Sequence, residues 1–113
     1  MKTNELTRAA LNWAVAKCEG LFGPTLLIAA MRCYGTVYTP STDWSQGGPI
    51  IEREWLDVTP WPNESDEELR WHCEQHDSIE CVAFGPTPLI AAMRCYVASK
   101  LGDDIEIPPE LIA

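Results

Sequence analysis

Positive charge is scarce in this chain: 8 lysines and arginines stand against 17 aspartates and glutamates, a formal net charge of −9. That balance opposes approach to nucleic-acid phosphates or to an anionic membrane surface unless the few cations cluster. DNA or RNA binding and membrane association are therefore not expected. Histidine is rarer still, with His72 and His76 in one short segment. No Gly-x-Ser-x-Gly, phosphate-loop or Rossmann glycine pattern occurs, and a cysteine or serine nucleophile would need a base that only this one segment could supply. Asp43, Glu52 and Glu54 lie close in sequence, but carboxylates on a strand are ordinarily a solvated face, and the chain is read as non-enzymatic. No stretch approaches the roughly 18 uninterrupted apolar residues of a membrane span. The opening Met1-Lys2-Thr3-Asn4-Glu5 leads into a mixed helix and not into a signal-peptide core. A soluble protein that stays in the cytoplasm is the expectation.

What is present fits one compact domain over residues 1–113. With 46% hydrophobic residues the chain can fill one core, burying about two thirds of its unfolded surface at this size. The 5 cysteines, Cys18, Cys33, Cys73, Cys81 and Cys95, are odd in number and spaced like no disulfide framework, which suits reduced thiols. Cys73, His76 and Cys81, with His72 nearby, offer thiolate and imidazole to zinc. A closed structural site shows two paired knuckles and only one loose pair is present, so no metal and no cofactor are expected.

The largest regularity is a copied block. Phe22 to Tyr34 (FGPTLLIAAMRCY) recurs as Phe84 to Tyr96 (FGPTPLIAAMRCY), differing only at Leu26 against Pro88. The flanks do not match, so this is a duplicated segment and not a stacked array. In the second copy Thr87 caps a helix with Pro86 or Pro88 in its first turn, Ile90, Met93, Val97 and Leu101 on one stripe, and Gly102 beyond its end. Ala91, Cys95 and Ala98 form a second stripe of small side chains that allows another backbone to approach closely, within the monomer or across an interface. The first copy lacks the proline and runs into Thr36-Val37-Tyr38-Thr39; a helix is favoured there over a strand. At the start of the chain, Thr3 or Asn4 caps another helix, with Leu6, Ala10, Trp13 and Ala14 on one face and Gly20 as its stop.

Between the copies, Tyr38 to Gly48 (YTPSTDWSQGG) reads as an ordered, turn-rich loop in which Asp43 or the hydroxyls bind backbone amides. Ile50 to Leu56 reads as a strand, and Pro60 and Pro62 bracket Trp61 in a turn. Ser65 with Glu68 has capping-box spacing, but Leu69, Trp71 and Cys73 alternate as in a strand, paired through a turn near Asp77-Ser78 with Ile79 to Phe84. The fold class is α+β: a short antiparallel sheet packed against N-terminal and C-terminal helices.

LTRAALNWAVAKCEG near the start, YTPSTDWSQGGPIIERE in the middle and GPTPLIAAMRCYVASKLGDDIEIPPELI at the end together resemble the NinX-like family of small proteins from the accessory gene region of lambdoid phages and their prophages. Where this chain carries its first copied block, the family pattern has a variable, strand-like segment. The resemblance implies a phage protein at work in the bacterial cytoplasm. It brings no catalytic residues with it.

Two functional readings follow. In the first, the loop is a pocket for a planar polar ligand: Trp44 stacks, Ser41, Thr42, Asp43 and Gln46 hydrogen-bond, Gly47 and Gly48 let backbone amides approach, and Arg94 clamps a phosphate or carboxylate. Such a protein would sequester a nucleotide-derived signal of a host defence system. The bland counterpart has Trp44 plugging the core, Asp43 and Ser41 fixing a turn, and Arg32 and Arg94 pairing with carboxylates such as Glu52 or Glu54. In the second reading, the chain docks on a host or phage protein through Glu64 to Glu68 and tryptophans among Trp55, Trp61 and Trp71. A helix with both a large-residue and a small-residue face has apolar surface to spare, so a homo-oligomer is expected on either account.

Overall fold

In the computed structural model, residues 2–20, 38–61, 65–76 and 78–107 are described. Helices α1 (Arg8–Cys18), α2 (Trp44–Glu54) and α3 (Pro88–Leu101) accompany strands β1 (Leu56–Pro60), β2 (Trp71–Gln75) and β3 (Ser78–Gly85), with short 3-10 turns at Thr3–Glu5 and Glu67–Leu69. The strands form one antiparallel sheet in the order β1-β2-β3, so the class is α+β as read from sequence. The first copied block lies outside the described residues.

Helix α3 is the axis of the molecule. Thr87 Oγ1 accepts from the Ile90 amide, Pro88 occupies the first turn and Gly102 follows at φ 88°, so both ends are set by the local signals that announce them. Every residue from Ala91 to Val97 is buried. A helix buried on all sides needs no polar face, and here the sheet covers one side while α1 and α2 cover others. The small-residue stripe is spent inside the chain. A β-carbon on Gly85 would lie 2.7 Å from the Ala91 nitrogen, and the Cys95 thiol donates to the Cys81 carbonyl at 3.4 Å; β3 is the backbone that approaches.

Two expectations are corrected. The N-terminal helix begins at Arg8, with Thr7 in the cap position, and Thr3–Glu5 forms a separate 3-10 turn. Thr3 is drawn off by contacts with the other end of the chain: its amide donates to the Asp103 carbonyl and its hydroxyl to the Gly102 carbonyl. Gly20, at φ 70°, stands past the end of α1 as expected. The larger correction is that Trp44–Glu54 is a helix, where the reading had a loop to Gly48 and a strand from Ile50. Asp43, taken for a turn residue, is the N-cap of α2 and accepts from the Ser45 amide at 2.9 Å. Gly47-Gly48-Pro49 looked like breakers because glycine and proline disfavour helices locally. Packing overrides that preference: a β-carbon on Gly47 would fall 2.5 Å from both Leu89 Cδ1 and the Pro40 carbonyl oxygen, so only glycine lets α2 lie against α3.

The hairpin of β2 and β3 matches expectation except at its start: Leu69, read as strand, belongs to the 3-10 turn that Asp66 caps, and β2 begins at Trp71. Val58, Cys73 and Ala83 stand side by side across the three strands on the face that packs on α3. Thr59, His72 and Phe84 form one row of the opposite face, and Asp57, Glu74 and Val82 the next. No described helix packs on that outer face.

Candidate functional site

The loop residues singled out from sequence are largely engaged in building the fold. Ser41 is 2% exposed, and its amide and hydroxyl both donate to Asn12 Oδ1, at 3.1 and 2.7 Å. Asp43 caps α2 and also accepts from the Ser45 hydroxyl. Gln46 Oε1 accepts from the Thr39 amide, and Gly47 is pressed between Leu89 and Pro40. Beyond its chain neighbours, Gly48 has nothing within 4 Å of where a β-carbon would stand. Thr42 is exposed and Trp44 is 56% exposed, so Trp44 does not plug the core. Ser41, Thr42 and Trp44 line a shallow cleft of about 190 Å³ with Thr87, Pro88, Leu89 and Ile90.

Arg94 is elsewhere. It lines a different cavity, about 280 Å³, with the N-terminal residues Lys2 to Glu5, Val82, Ala83, Ala98 and Asp103. Only 1% exposed, Arg94 donates through Nε to the Leu6 carbonyl at 2.9 Å, and through Nη1 to the Phe84 carbonyl at 2.8 Å and to Glu68 Oε2 at 2.9 Å. The carboxylate it pairs with is thus Glu68, not Glu52 or Glu54. Asn4 Oδ1 accepts from the Phe84 amide. Together Asn4 and Arg94 satisfy both backbone groups of Phe84 on the free edge of β3, where another strand could otherwise pair. Arg32 falls outside the described residues.

The zinc-like trio is taken apart by the sheet. Cys73 is fully buried under α3, with its thiol pushed well up by a hydrogen bond with the neighbouring Cys95 thiol and by burial. Cys81 leans on the core from β3, whereas His76 is exposed beside Asp57, at 3.3 Å. Among the described residues no group of three or more His, Cys, Asp or Glu side chains is placed to hold an ion.

The densest cluster of ionisable groups joins the three helices. Arg53 grips Glu19 with two nitrogens, at 3.1 and 2.6 Å, and reaches Glu54 at 3.0 Å. Lys100 meets the other Glu54 oxygen at 3.1 Å, and the Tyr96 hydroxyl donates to Glu19 at 2.5 Å. Burial raises the pKa of Glu19, but the hydrogen bonds from Arg53 and Tyr96 together outweigh it and hold the group below its ordinary value. Beside them burial, then the charge of Glu19, pushes the Cys18 thiol up to about 11, and burial followed by Glu19 pushes Tyr38 up to about 12. The two upward shifts keep Cys18 and Tyr38 protonated at neutral pH, and the ion pairs and hydrogen bonds of the cluster clamp the three helices together.

A further set of outward groups, aromatic and acidic, lies on the face of the sheet opposite α3. The rings of Trp61 and His72 stack at 4.9 Å, and Phe84 meets both edge-on, at 5.9 and 5.1 Å. Toward the other end of the strands Trp55 and His76 pair with ring centroids 5.6 Å apart. Between the two aromatic groups stand Asp57 and Glu74. Trp61 is 44% exposed and Trp55 65%, whereas Trp71 packs against the core. The sequence points to Trp55 and Trp61 but not to His72 and Phe84 as members of this face; their signal is the outward alternation of 72 and 74 with 82 and 84.

Trp55 carries a further mark. It ends α2 at φ 54° and ψ 51°, the left-handed conformation ordinarily given to glycine. Among the described residues it is the one non-glycine residue at positive φ. A bulky side chain held there costs free energy, and strain of this kind gathers at functional sites.

These features define a small α+β domain with its sheet covered on one side by helices and presenting aromatic rings and carboxylates on the other. The model of the family described as Bacteriophage P22, NinX matches residues 2–100. The chain belongs to that family and is a phage accessory protein. No curated protein matches it. Among the described residues no helix is long and apolar enough to cross a membrane.

Proposed function

We propose that this phage protein is a non-enzymatic docking module that works in the host cytoplasm by holding a host or phage protein on the open face of its sheet. The observation that carries the reading is the exposed Trp55, kept in a strained left-handed conformation at one end of that face. A residue two-thirds exposed contributes little to the core, and glycine would end the helix with less strain, so the indole is retained for what it touches outside the chain. Trp61, His72 and Phe84 supply a second anchor at the other end of β1. Within the acidic stretch Glu68 is tied to Arg94, Asp66 caps the Glu67–Leu69 turn and Glu67 lies 3.9 Å from Arg70, so the tryptophans carry the reading more than this stretch does.

The test is affinity capture from infected bacteria with the native protein, a Trp55→Ser/Trp61→Ser variant and a Trp44→Ser control. A protein retained by the native chain and the control but lost by the double variant supports docking on this face. The same set of proteins on all three overturns it.

A second reading, sequestration of a nucleotide-derived ligand against host defence, is favoured by Trp44, which stands exposed in the cleft beside the first turn of α3. At about 190 Å³ the cleft is smaller than ordinary small-molecule sites, which run from about 300 Å³ upward, and Arg94 lies outside it. Native mass spectrometry of protein taken gently from lysate tests this: a retained mass of a few hundred daltons supports it, and a clean apoprotein removes it. The same spectrum reads the homo-oligomer, for which the exposed indole of Trp44 supplies apolar surface.

A further inference from the structure

We infer that the segment which docks on the open sheet face is a basic, arginine-bearing stretch of the partner protein, with its guanidinium groups set over Asp57 and Glu74 and against the flanking rings. This rests on the docking reading and adds the chemistry of the partner.

Charge complementarity is the first ground. Asp57 is half exposed, Glu74 stands beside it in the same row, and Glu67 is 77% exposed near the Trp61 end. The cation close to this end is Arg70, which lies 3.9 Å from Glu67. Arg53 and Lys100 are committed to the clamp between the helices, and Arg94 is buried. An acidic face on a chain of net charge −9 draws a cationic partner and repels both nucleic acid and a second copy of itself, whose Asp57 and Glu74 would meet their own kind.

The order of groups is the second ground. The face runs from Trp55, just before β1, through Asp57 to Trp61, just after it, and β1 itself spans about 13 Å at ~3.3 Å per residue. Carboxylates between two π-surfaces match a side chain that is both cationic and flat. Arginine has that form: its guanidinium forks onto a carboxylate, stacks on indole and imidazole, and sheds water more readily than an ammonium. Lysine offers a point charge alone.

The experiment uses the whole protein and follows its indole N–H signals by NMR during titration with three synthetic dodecapeptides. One alternates arginine with leucine, one replaces arginine by lysine and one by glutamate. The expected result is movement of the Trp55 and Trp61 signals with the arginine peptide while Trp44 stays still. Binding falls about tenfold in Asp57→Asn/Glu74→Gln, is weaker for the lysine peptide and is missing for the glutamate peptide. Equal binding of the arginine and lysine peptides, movement centred on Trp44, or unchanged affinity in the double variant would each overturn the inference. If the arginine peptide fails while Trp55→Ser/Trp61→Ser still abolishes capture, the partner chemistry is wrong and the docking face stands. If capture survives that substitution, the docking face itself is wrong.

Discussion

Replacing Trp55 by glycine and by alanine separates its conformational strain from its contacts. Both substitutions remove the indole and its approach to His76, so what is lost in side-chain packing is common to the two. They differ in the backbone. At φ 54° and ψ 51° an L side chain brings its β-carbon against the following carbonyl, at a cost of about 1–2 kcal/mol that glycine escapes. Glycine also gains more freedom in the unfolded chain, which takes back several tenths of that difference. The Gly variant is therefore expected to exceed the Ala variant in stability by about 1 kcal/mol, a difference of about 4 °C in Tm for a chain of this length. At an ordinary helical position the order is the reverse. Thermal unfolding followed by circular dichroism, with urea titrations in parallel, measures the gap. An Ala variant as stable as the Gly variant, or more so, would show that the position is not held left-handed and would remove the main support for a docking role. Both variants should lose capture of the partner, the more stable one included.

Arg94→Ala is expected to lower stability by about 3–5 kcal/mol in urea unfolding, because the carbonyls of Leu6 and Phe84 are left without their donor and Glu68 without its cation. Arg94→Lys recovers less than half of this, since one ammonium cannot span the three acceptors. Gly47→Ala should destabilise by about 1–3 kcal/mol through its collision with Leu89 and Pro40. Gly48→Ala, one residue on in the same helix, meets only the ring of Pro49, whose crowding of the preceding β-carbon offsets the helix-propensity gain, and should change stability by less than about 0.5 kcal/mol in the same assay. Burial works against the charged forms of Glu19 and Glu54, but hydrogen bonds to both, with Arg53 in each set, leave their pKa values below the ordinary 4.5. Their contribution to stability is then complete above about pH 4.5 and fades as pH falls through the depressed folded values. Arg53→Met should flatten the decline of the urea midpoint in that acid window, and an unchanged slope would refute the assignment.

How far the fold could be read in advance depended on whether a signal was local. Thr87, Pro88 and Gly102 fix the ends of α3 through bonds and dihedrals within a few residues of themselves, and the alternation through Trp71 and Cys73 marks a strand whose partner follows one turn later. Helix α2 was hidden because its glycines and proline are unfavourable in isolation, and the reason for Gly47 is Leu89, more than forty residues away. The start of α1 was misplaced for a similar reason: Thr3 is drawn off by Gly102 and Asp103. At the site, tryptophans between charges announced themselves. The left-handed backbone of Trp55 and the stacking of His72 between its neighbours follow from tertiary placement, and no pattern in the chain records them. Arg94 stands out in sequence as a repeated cation in an acidic chain, but its acceptors lie on three separate segments that no local pattern links.

The meeting of the two ends of the described chain bears on how the protein is made. Residues 2–4 leave the ribosome well before the segments they bind: Lys2 pairs with Asp104, the Thr3 hydroxyl waits for Gly102, and Asn4 waits for Phe84. Loops of this length close slowly, because their entropy must be met before any contact repays it. The arginine that completes the lock on the edge of β3 sits in α3. Until α3 has emerged, that edge stays open to strands of neighbouring nascent copies, a hazard during synthesis. Its yield is accordingly expected to depend on synthesis rate and temperature more than on the stability of the finished fold.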